Sequence, residues 1–302
     1  MSKKKRYVVT GGAGFIGSHI VDLLIKLNHK VTVIDNLSTG SIKNLNPLAD
    51  FEKFNLSNYK KLVKSFNGCE GIFHLAALPR IQPSFEDPIL HNNVNINASL
   101  NIINAMKESY VKKIVFSSTS ACYGNPIEIP TTENCPVSFI NPYALQKYTS
   151  EQYILILCKK FNLKSISLRY FNVYGPRSFN PKNKLSAYSS VVGIFNYAKL
   201  NNLPIKITGK GNQRRDFVHV YDVANANYLA MKSQVSDMIF NVGTGKDITI
   251  KKLSYFFTKQ PTFIKARGGE ANITCASIKK IQKNLKWKPK IDLKKAIQIG
   301  II

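Results

Sequence analysis

The sequence lacks the cysteine spacing of metal sites and of disulfide frameworks. It contains five cysteines in 302 residues, and no two of them form a Cys-x-x-Cys pair. An odd and scattered set of cysteines predicts neither a metal centre nor a disulfide-stabilised secreted fold. We therefore expect no bound metal and a reducing, cytoplasmic environment.

Long apolar runs are also missing. No stretch of the sequence reaches the roughly 18 to 20 apolar residues that cross a bilayer, and no secretory signal precedes the first predicted strand, so we expect no membrane partner. Hydrophobic residues make up 44% of the chain and charged residues 20%. This balance is typical of a globular protein that is large enough to bury a substantial core.

Acidic residues are scarce. The chain has 17 Asp and Glu residues and 43 Lys and Arg residues, which gives a formal net charge of +26. Only seven of the basic residues are arginine. The charge fits a compositional bias spread over solvated faces, a field that attracts an anionic small substrate, or nucleic-acid binding. We favour the first interpretation and expect no nucleic-acid partner, because the lysines are spread along the whole chain without an aromatic and basic recognition motif.

The first half of the chain alternates short β-rich runs with longer helical patterns, which predicts an α/β fold with a doubly wound parallel sheet. The predicted strands span residues 7–10, 31–34, 71–75, 113–117 and 165–169, and the predicted helices span residues 16–27, 88–108 and 143–161. After about residue 174, prolines break the pattern into shorter elements, which indicates a smaller mixed second lobe.

A glycine-rich turn lies between the first predicted strand and its helix. Gly11, Gly14 and Gly17 allow a tight turn, close approach of the backbone to a pyrophosphate, and close packing of the helix on the strand. The second strand ends in Asp35, 24 residues after Gly11, where a carboxylate can accept hydrogen bonds from an adenosine ribose. The same charge would repel a 2′-phosphate, so the sequence predicts NAD rather than NADP as cofactor.

Tyr143 and Lys147 are four residues apart in a predicted helix, so they share one face of it. A nearby ammonium favours the phenolate and lowers the pKa of a tyrosine from about 10 towards the working pH. The pair therefore predicts Tyr143 as a general base or acid.

Several motifs occur in one order along nearly the whole chain. They span residues 11–17, 35–38, 74–77, 117–124, 141–147, 168–175, 209–217, 267–270 and 285–289. With these motifs the chain resembles the extended short-chain dehydrogenase/reductases, and among them the NAD-dependent epimerase/dehydratase family that acts on nucleotide sugars. The resemblance implies a Rossmann-like domain for NAD over residues 1–172 and about 215–245. It implies a smaller mixed α/β lobe for the nucleotide sugar over residues 173–214 and 246–302.

The resemblance also implies roles for individual residues. Thr119 would hydrogen-bond the sugar 4-hydroxyl, Tyr143 would take its proton, and Lys147 would bind the nicotinamide ribose. The implied cofactor-binding residues are Gly11, Gly14, Phe15, Ile16, Gly17, Asp35, Asn36, Ser38, Asn55, Leu56, Leu75, Ala76, Ala77, Asn92, Ser117, Tyr143, Lys147 and Phe171. The implied substrate-binding residues are Ser118, Thr119, Asn172, Arg215, Arg267, Glu270 and Thr274.

Three features depart from the family pattern. Asn55 stands where relatives commonly have an Asp beside the adenine, although its carbonyl can still accept a hydrogen bond. Pro79 stands where some hexose epimerases have a lysine. Residues 299–302 either belong to an abbreviated last helix or dock on the second lobe.

The residues after Thr119 help to choose the reaction. Relatives that are 4,6-dehydratases have Asp-Glu there and UDP-glucuronate decarboxylases have a Glu, whereas this chain has no acid between Ser120 and Tyr123. The resemblance therefore implies a 4-epimerase of UDP-sugars that works through a 4-keto intermediate. The small Thr274 implies that N-acetylated sugars are accepted beside plain hexoses. Another nucleotide-sugar enzyme of the family, such as a 4-ketoreductase or a UDP-glucuronate epimerase, and a non-catalytic RNA-binding relative remain the alternatives.

The two long predicted helices also bear on assembly. Relatives pair such helices across a two-fold axis, and the apolar run of residues 154–157 exceeds what one buried face needs. We therefore expect a homodimer.

Overall fold

The computed structural model describes residues 4–179, 190–266 and 268–302. The strands are β1 (Arg6–Thr10), β2 (Lys30–Ile34), β3 (Asp50–Glu52), β4 (Gly71–His74), β5 (Lys113–Thr119), β6 (Lys164–Tyr170), β7 (Asn172–Tyr174), β8 (Lys206–Thr208), β9 (Arg214–His219), β10 (Met238–Val242), β11 (Asp247–Thr249) and β12 (Thr262–Ile264). The helices are α1 (Phe15–Lys26), α2 (Tyr59–Phe66), α3 (Ile81–Glu86), α4 (Pro88–Asn92), α5 (Ala98–Glu108), α6 (Pro142–Lys160), α7 (Val191–Leu200), α8 (Val220–Lys232), α9 (Ile250–Ser254), α10 (Lys279–Leu285) and α11 (Leu293–Gln298). A π-helical turn at Asn93–Asn97 joins α4 to α5, and short 3-10 turns lie at Ile42–Asn44 and Ser120–Tyr123.

A seven-stranded sheet with the order β10-β6-β5-β4-β1-β2-β3 forms the larger part of the molecule. Every neighbouring pair in it is parallel. The strand order reverses beside β1, which has β2 on one side and β4 on the other. This reversal opens a crevice at the carboxyl ends of the strands, where ligands of doubly wound sheets bind. The predicted Rossmann-like sheet is confirmed.

Two apolar layers cover the faces of this sheet, because successive strand residues point to opposite sides. Val9 packs in the layer that contains α1 and α8, whereas Val8 packs in the layer that contains α2, α5 and α6. The helices predicted at residues 16–27 and 143–161 correspond to α1 and α6. The helix predicted at residues 88–108 is divided by the π-helical turn.

The second lobe contains a mixed sheet of order β11-β9-β7 and a two-stranded parallel sheet of β8 and β12. Its own apolar core includes Tyr174, Phe195, Phe217 and Leu253. The smaller mixed lobe is therefore confirmed. Strand β9 belongs to this lobe, and the chain returns to the layers of the large sheet at α8.

The last residues dock on the second lobe. The imidazole of His219 donates from Nε2 to the carbonyl oxygen of Ile301 at 2.8 Å, since its Nδ1 accepts from the Tyr221 N–H. The side chains of Ile301 and Ile302 pack against the core of this lobe. No helix within residues 4–179, 190–266 and 268–302 is long and apolar enough to cross a membrane.

A buried ion pair joins the large sheet to α6. The Arg169 guanidinium on β6 donates two hydrogen bonds to Glu151 on α6, at 2.6 and 3.0 Å, and the two side chains are 3% and 0% exposed. Ser118 on β5 donates to the same carboxylate at 2.6 Å. Arg169 also donates to the Tyr123 hydroxyl at 2.8 Å, which in turn donates to Asn241 on β10. One polar network thus links α6 to three neighbouring strands.

We expect Arg169→Met to lower the free energy of unfolding by about 3 to 5 kcal/mol, because it leaves the buried Glu151 carboxylate without its cation. Arg177→Met is the matched control. Arg177 pairs with Asp22 where the two side chains are 33% and 32% exposed, and such a pair contributes at most about 1 kcal/mol. Urea unfolding of both variants checks this expectation, and equal losses would contradict it.

Candidate active site

A cavity of about 680 Å³ lies between the carboxyl edge of the large sheet and the second lobe. On one side it is lined by the β1–α1 turn and by the ends of β2, β4 and β5. On the other side it is lined by β7, by β9 and by the segment from Gly269 to Thr274. Most of the sequence motifs singled out above therefore meet in one place, whereas the motif at residues 285–289 packs in the core of the large domain.

The glycine-rich turn forms the floor of the cavity. Gly11 has a φ of +72°, and a Cβ on it would come within 2.6 Å of the Ala76 backbone nitrogen, so only glycine fits. A Cβ on Gly17 would collide with the Gly11 carbonyl oxygen. Helix α1 begins here with Gly14 as its N-cap and without a side-chain cap. A helix N-terminus of this kind is suited to an anionic phosphate group.

Asp35 lies beside this turn at the end of β2. Its Oδ2 accepts from the Ala13 N–H at 3.0 Å and its Oδ1 accepts from the Leu37 N–H at 2.8 Å. Burial raises the pKa of the carboxyl, while the two backbone donors oppose that shift. Because a carboxylate can accept about four hydrogen bonds, it keeps capacity for a ligand hydroxyl.

Helix α6 places the Tyr–Lys pair at the cavity wall. Asn141 caps the helix, since its Oδ1 accepts from the Ala144 N–H at 2.8 Å, and Pro142 occupies the first helical position. Tyr143 then lies in the first turn, where its phenol interacts with the Thr119 side chain at the end of β5. Lys147 is 2% exposed, with Nζ 4.1 Å from the centroid of the Phe116 ring.

The pKa values of this pair correct the expectation from spacing. The i,i+4 relationship predicted a lowered pKa for Tyr143, whereas burial raises it to about 12 despite the opposing effect of the Thr119 hydroxyl. Burial also lowers the pKa of Lys147 to about 7, against the attraction of Glu151 one turn further along. Desolvation penalises the charged form of both groups, and it outweighs their nearness to each other.

The second lobe supplies polar groups to the opposite wall. Asn172 donates from Nδ2 to the Thr274 hydroxyl at 3.0 Å and to the Asp216 carbonyl at 3.2 Å. Arg215 is 9% exposed and its guanidinium lies 3.4 Å from a carboxylate oxygen of Glu270. This arrangement holds a cation next to the space between the lobes. Arg267 lies outside the described residues.

Most of the residues predicted for the cofactor line the cavity. Those that do are Gly11, Gly14, Phe15, Ile16, Gly17, Asp35, Asn36, Ser38, Asn55, Leu56, Leu75, Ala76, Ala77, Ser117, Tyr143, Lys147 and Phe171. Asn92 is half-buried on α4 and is not among the described lining residues, which in this segment are Val94 and Ala98. Of the predicted substrate residues, Ser118, Thr119, Asn172, Arg215, Glu270 and Thr274 line it, although the Ser118 hydroxyl is bonded to Glu151.

Asn95 is a residue that the sequence did not single out. It lies in the π-helical turn and is 1% exposed. Its Oδ1 accepts from the Leu78 N–H at 2.8 Å, and its Nδ2 donates to Gln146 on α6 at 3.1 Å. It therefore fixes the loop after β4 to the helix of Tyr143. Asparagine occurs several times between α4 and α5, and the π-helical turn determines which of these asparagines faces inward.

The polar lining of the cavity is a hydroxyl, a phenol and an ammonium beside a glycine-rich turn. Across the described part of the chain, no three His, Cys, Asp or Glu side chains are grouped as metal ligands.

Comparison with known proteins identifies the family. The model of the NAD dependent epimerase/dehydratase family matches residues 7–243. The chain belongs to this family. The solved UDP-glucose 4-epimerase of Thermotoga maritima, determined with UDP-glucose, is 35% identical with a TM-score of 0.92, over 98% of this chain and 97% of its own.

Two other members of the family have similar structures. The UDP-N-acetylglucosamine 4-epimerase of Methanobrevibacter ruminantium, in complex with UDP-N-acetylmuramic acid, is 36% identical with a TM-score of 0.92, over 99% of this chain and 98% of its own. The UDP-glucose 4-epimerase of Thermus thermophilus, in complex with NAD, is 34% identical with a TM-score of 0.88, over 98% of this chain and 97% of its own.

The lowered pKa of Lys147 has a measurable effect on stability. Between its folded pKa of about 7 and the ordinary value of 10.5, the unfolded chain holds a proton on Lys147 that the folded protein has released. The free energy of unfolding therefore rises with pH in this window. We expect urea unfolding of the cofactor-free protein to show a steeper rise for wild type than for Lys147→Met. Lys113, whose pKa is lowered to about 8, is present in both proteins, so its effect on the pH dependence cancels in the comparison. Equal slopes of unfolding free energy against pH would contradict the lowered pKa of Lys147.

Proposed function

We propose that this protein is an NAD-dependent 4-epimerase of UDP-sugars. The observation that supports it most directly is that Thr119, Tyr143 and Lys147 line the cavity together, between the glycine-rich turn and the polar wall of the second lobe. Family membership and the named activities of the similar structures agree with this reading. The large domain would hold the cofactor and the second lobe the nucleotide sugar.

The residues present fit NAD. The glycine cradle that a Cβ would fill, the uncapped N-terminus of α1 and the fixed Asp35 carboxylate suit a pyrophosphate and a ribose diol. A 2′-phosphate beside the Asp35 charge would be repelled, which favours NAD over NADP. When bound, NAD supplies a group that accepts a hydride from a sugar carbon and returns it.

The chain's own residues would move the proton. The Tyr143 phenolate takes the proton of the sugar 4-hydroxyl as C4 loses its hydride, so C4 becomes a carbonyl. After the keto sugar presents its opposite face, C4 regains a hydride and Tyr143 returns the proton to the oxygen. Thr119 would orient the phenol and the hydroxyl, and Lys147, when protonated, would favour the phenolate against the burial that keeps Tyr143 neutral in the cofactor-free protein. Glu151 supports this step because it raises the pKa of Lys147.

The turn after Thr119 favours epimerisation over dehydration. Residues Ser120–Tyr123 form a 3-10 turn in which Cys122 and Tyr123 are buried. Burial raises the pKa of the Cys122 thiol to about 12, so it is no substitute for the acid that a dehydratase uses. The turn thus offers no proton donor for removal of water from the sugar.

The central test is product identification after incubation with UDP-sugars and NAD. We expect wild type to interconvert the C4 epimers, and Tyr143→Phe to retain NAD binding but less than about 1% of turnover, because a lost general base costs 10² to 10⁴ in rate. Lys147→Met should lose both turnover and NAD affinity. Tyr110→Phe, which changes an exposed tyrosine outside the cavity and outside α4 and α6, is the control and should be fully active. Substantial turnover by Tyr143→Phe would refute the assigned base.

We propose that Thr274 sets the choice of sugar. It lines the cavity and is held by Asn172, and its small side chain leaves room for an acetamido group. Wild type should therefore interconvert UDP-N-acetylglucosamine and UDP-N-acetylgalactosamine at least as well as the plain hexoses.

Thr274→Tyr should suppress the N-acetyl reaction at least about tenfold more than the hexose reaction, because a steric clash excludes a partner effectively. Thr274→Val is the matched control, since it keeps the size but removes the hydrogen bond from Asn172. Steady-state kinetics on both sugar pairs decide the matter. Equal losses on both pairs in Thr274→Tyr, or selective loss in Thr274→Val, would contradict a size-based choice.

We further propose a homodimer formed through α4, α5 and α6. Leu145, Tyr153 and Ile156 project from α6 with large exposed fractions, and Ile89 and Leu90 do so from α4. These side chains lie outside the core that buries the other face of α6. Such a patch is suited to a two-fold contact with a second copy.

Light scattering at micromolar concentration should give the mass of a dimer for wild type. Ile156→Glu should shift it towards the monomer, because a charge would be buried in the contact. Leu48→Glu, which replaces another exposed apolar residue outside this patch, should leave the dimer intact. A monomeric wild type would contradict the proposal.

We also infer a cytoplasmic location. All five cysteines are free, and four of them are buried, which is compatible with a reducing compartment. The absence of a nucleic-acid partner and of a membrane partner stays a prediction.

A further inference from the structure

A second cleft, of about 480 Å³, lies at the opposite edge of the large sheet from the active site. Parallel strands begin at one edge, so the starts of β1, β4, β5 and β6 meet there. Lys5, Lys112, Lys113 and Lys164 line the cleft from the starts of these strands, and Lys232 lines it from the end of α8. This set is called the basic cleft below.

The positive charge of the basic cleft exceeds its negative charge. Glu70 is the one carboxylate among the described residues that line it, and it is paired with Lys5. Lys113 is 7% exposed, and its ammonium donates to the Ser233 carbonyl at 2.6 Å rather than to a carboxylate. Burial together with the charge of Lys164 lowers the pKa of Lys113 to about 8. The folded protein thus crowds like charges here without a counter-charge.

His29 supplies an independent observation in the same cleft. Its side chain lines the cleft and the residue is 6% exposed. Nδ1 accepts from the Lys5 backbone N–H at 3.3 Å, so the proton of the neutral ring lies on Nε2. That Nε2 is buried and has no hydrogen-bond partner. A buried donor without an acceptor is rare in folded proteins and calls for an explanation, of which a bound anion is one.

The positions of the lysines alone would not indicate a ligand. Lysine is favoured near helix C-termini, and Lys232 lies in the last turn of α8. The unsatisfied His29 donor, the buried Lys113 and the concave shape are not explained in that way. An acceptor with several negative charges would satisfy the His29 donor and offset the charge of Lys113, whose hydrogen bonds go only to uncharged groups of Ser233 and Val235.

We propose that the basic cleft binds a multivalent phosphate anion, either inorganic pyrophosphate or the phosphate chain of a nucleotide. Compact ammonium groups bind phosphate oxygens as point charges. In this arrangement the anion accepts from His29 Nε2 and lies among Lys112, Lys113 and Lys164. The site is separate from the active site, which occupies the carboxyl edge of the same strands.

Calorimetric titration of the NAD-saturated protein with pyrophosphate tests the proposal, since bound NAD occupies the glycine-rich turn. We expect saturable binding at about 0.15 M salt, where diffuse surface attraction is largely screened. Lys112→Gln/Lys164→Gln should weaken it about tenfold or more, which corresponds to about 1.4 kcal/mol. His29→Phe should also weaken it, because the ring is kept but the donor is lost.

Lys60→Gln/Lys64→Gln on α2 is the matched control, because it removes the same charge from exposed positions outside the cleft. It should change the pyrophosphate affinity less than about twofold. Parallel titrations with ATP distinguish a nucleotide from inorganic pyrophosphate as the source, and 4-epimerase activity should be unchanged in all three variants. Equal weakening in the control, or no saturable binding, would overturn the proposal. Preferential binding of an RNA oligonucleotide that pyrophosphate does not displace would overturn it as well.

Discussion

The carboxylate of Glu151 is the point at which α6, the helix of Tyr143 and Lys147, is joined to the sheet. It accepts two hydrogen bonds from Arg169 and one from Ser118, next to Thr119. A buried ion pair stabilises a fold only when its remaining hydrogen-bonding capacity is satisfied, because removing both charges from water is costly. Here Tyr123 satisfies a further donor of the guanidinium. The pair therefore determines how the first turns of α6 lie against the ends of β5 and β6.

This junction has an electrostatic consequence for the active site. Burial opposes the charged forms of both Tyr143 and Lys147, so neither is charged merely because the other is near. Glu151 lies one turn beyond Lys147 and opposes that effect of burial. The network that holds α6 against the sheet thus also influences the protonation of Lys147. A site built in this way responds to any ligand that adds charge or removes water.

The parts of the fold that follow from local pattern could be predicted from the sequence. The glycine-rich turn, the acid at the end of β2 and the Tyr–Lys spacing are encoded within short segments, and they line the same cavity in the structure. The pairing of Glu151 with Arg169 could not be predicted, because it depends on the register of a helix against a strand. Likewise, i,i+4 spacing shows that Tyr143 and Lys147 are near each other but not how deeply they are buried. Asn95 was missed because helical periodicity assumes an unbroken α-helix.

The π-helical turn at Asn93–Asn97 also determines which changes in chain length this segment can accommodate. Such a turn is equivalent to one extra residue accommodated within a helix. Deleting one residue here would restore a continuous α-helix and leave α4 and α5 in nearly the same relative phase, because the turn itself takes up the extra residue. Ile102 and Met106, which are buried against the sheet, would then keep their places. The inward contact of Asn95 depends on the turn, so such a deletion is expected to spare the packing of α5 and to release the loop after β4 from α6.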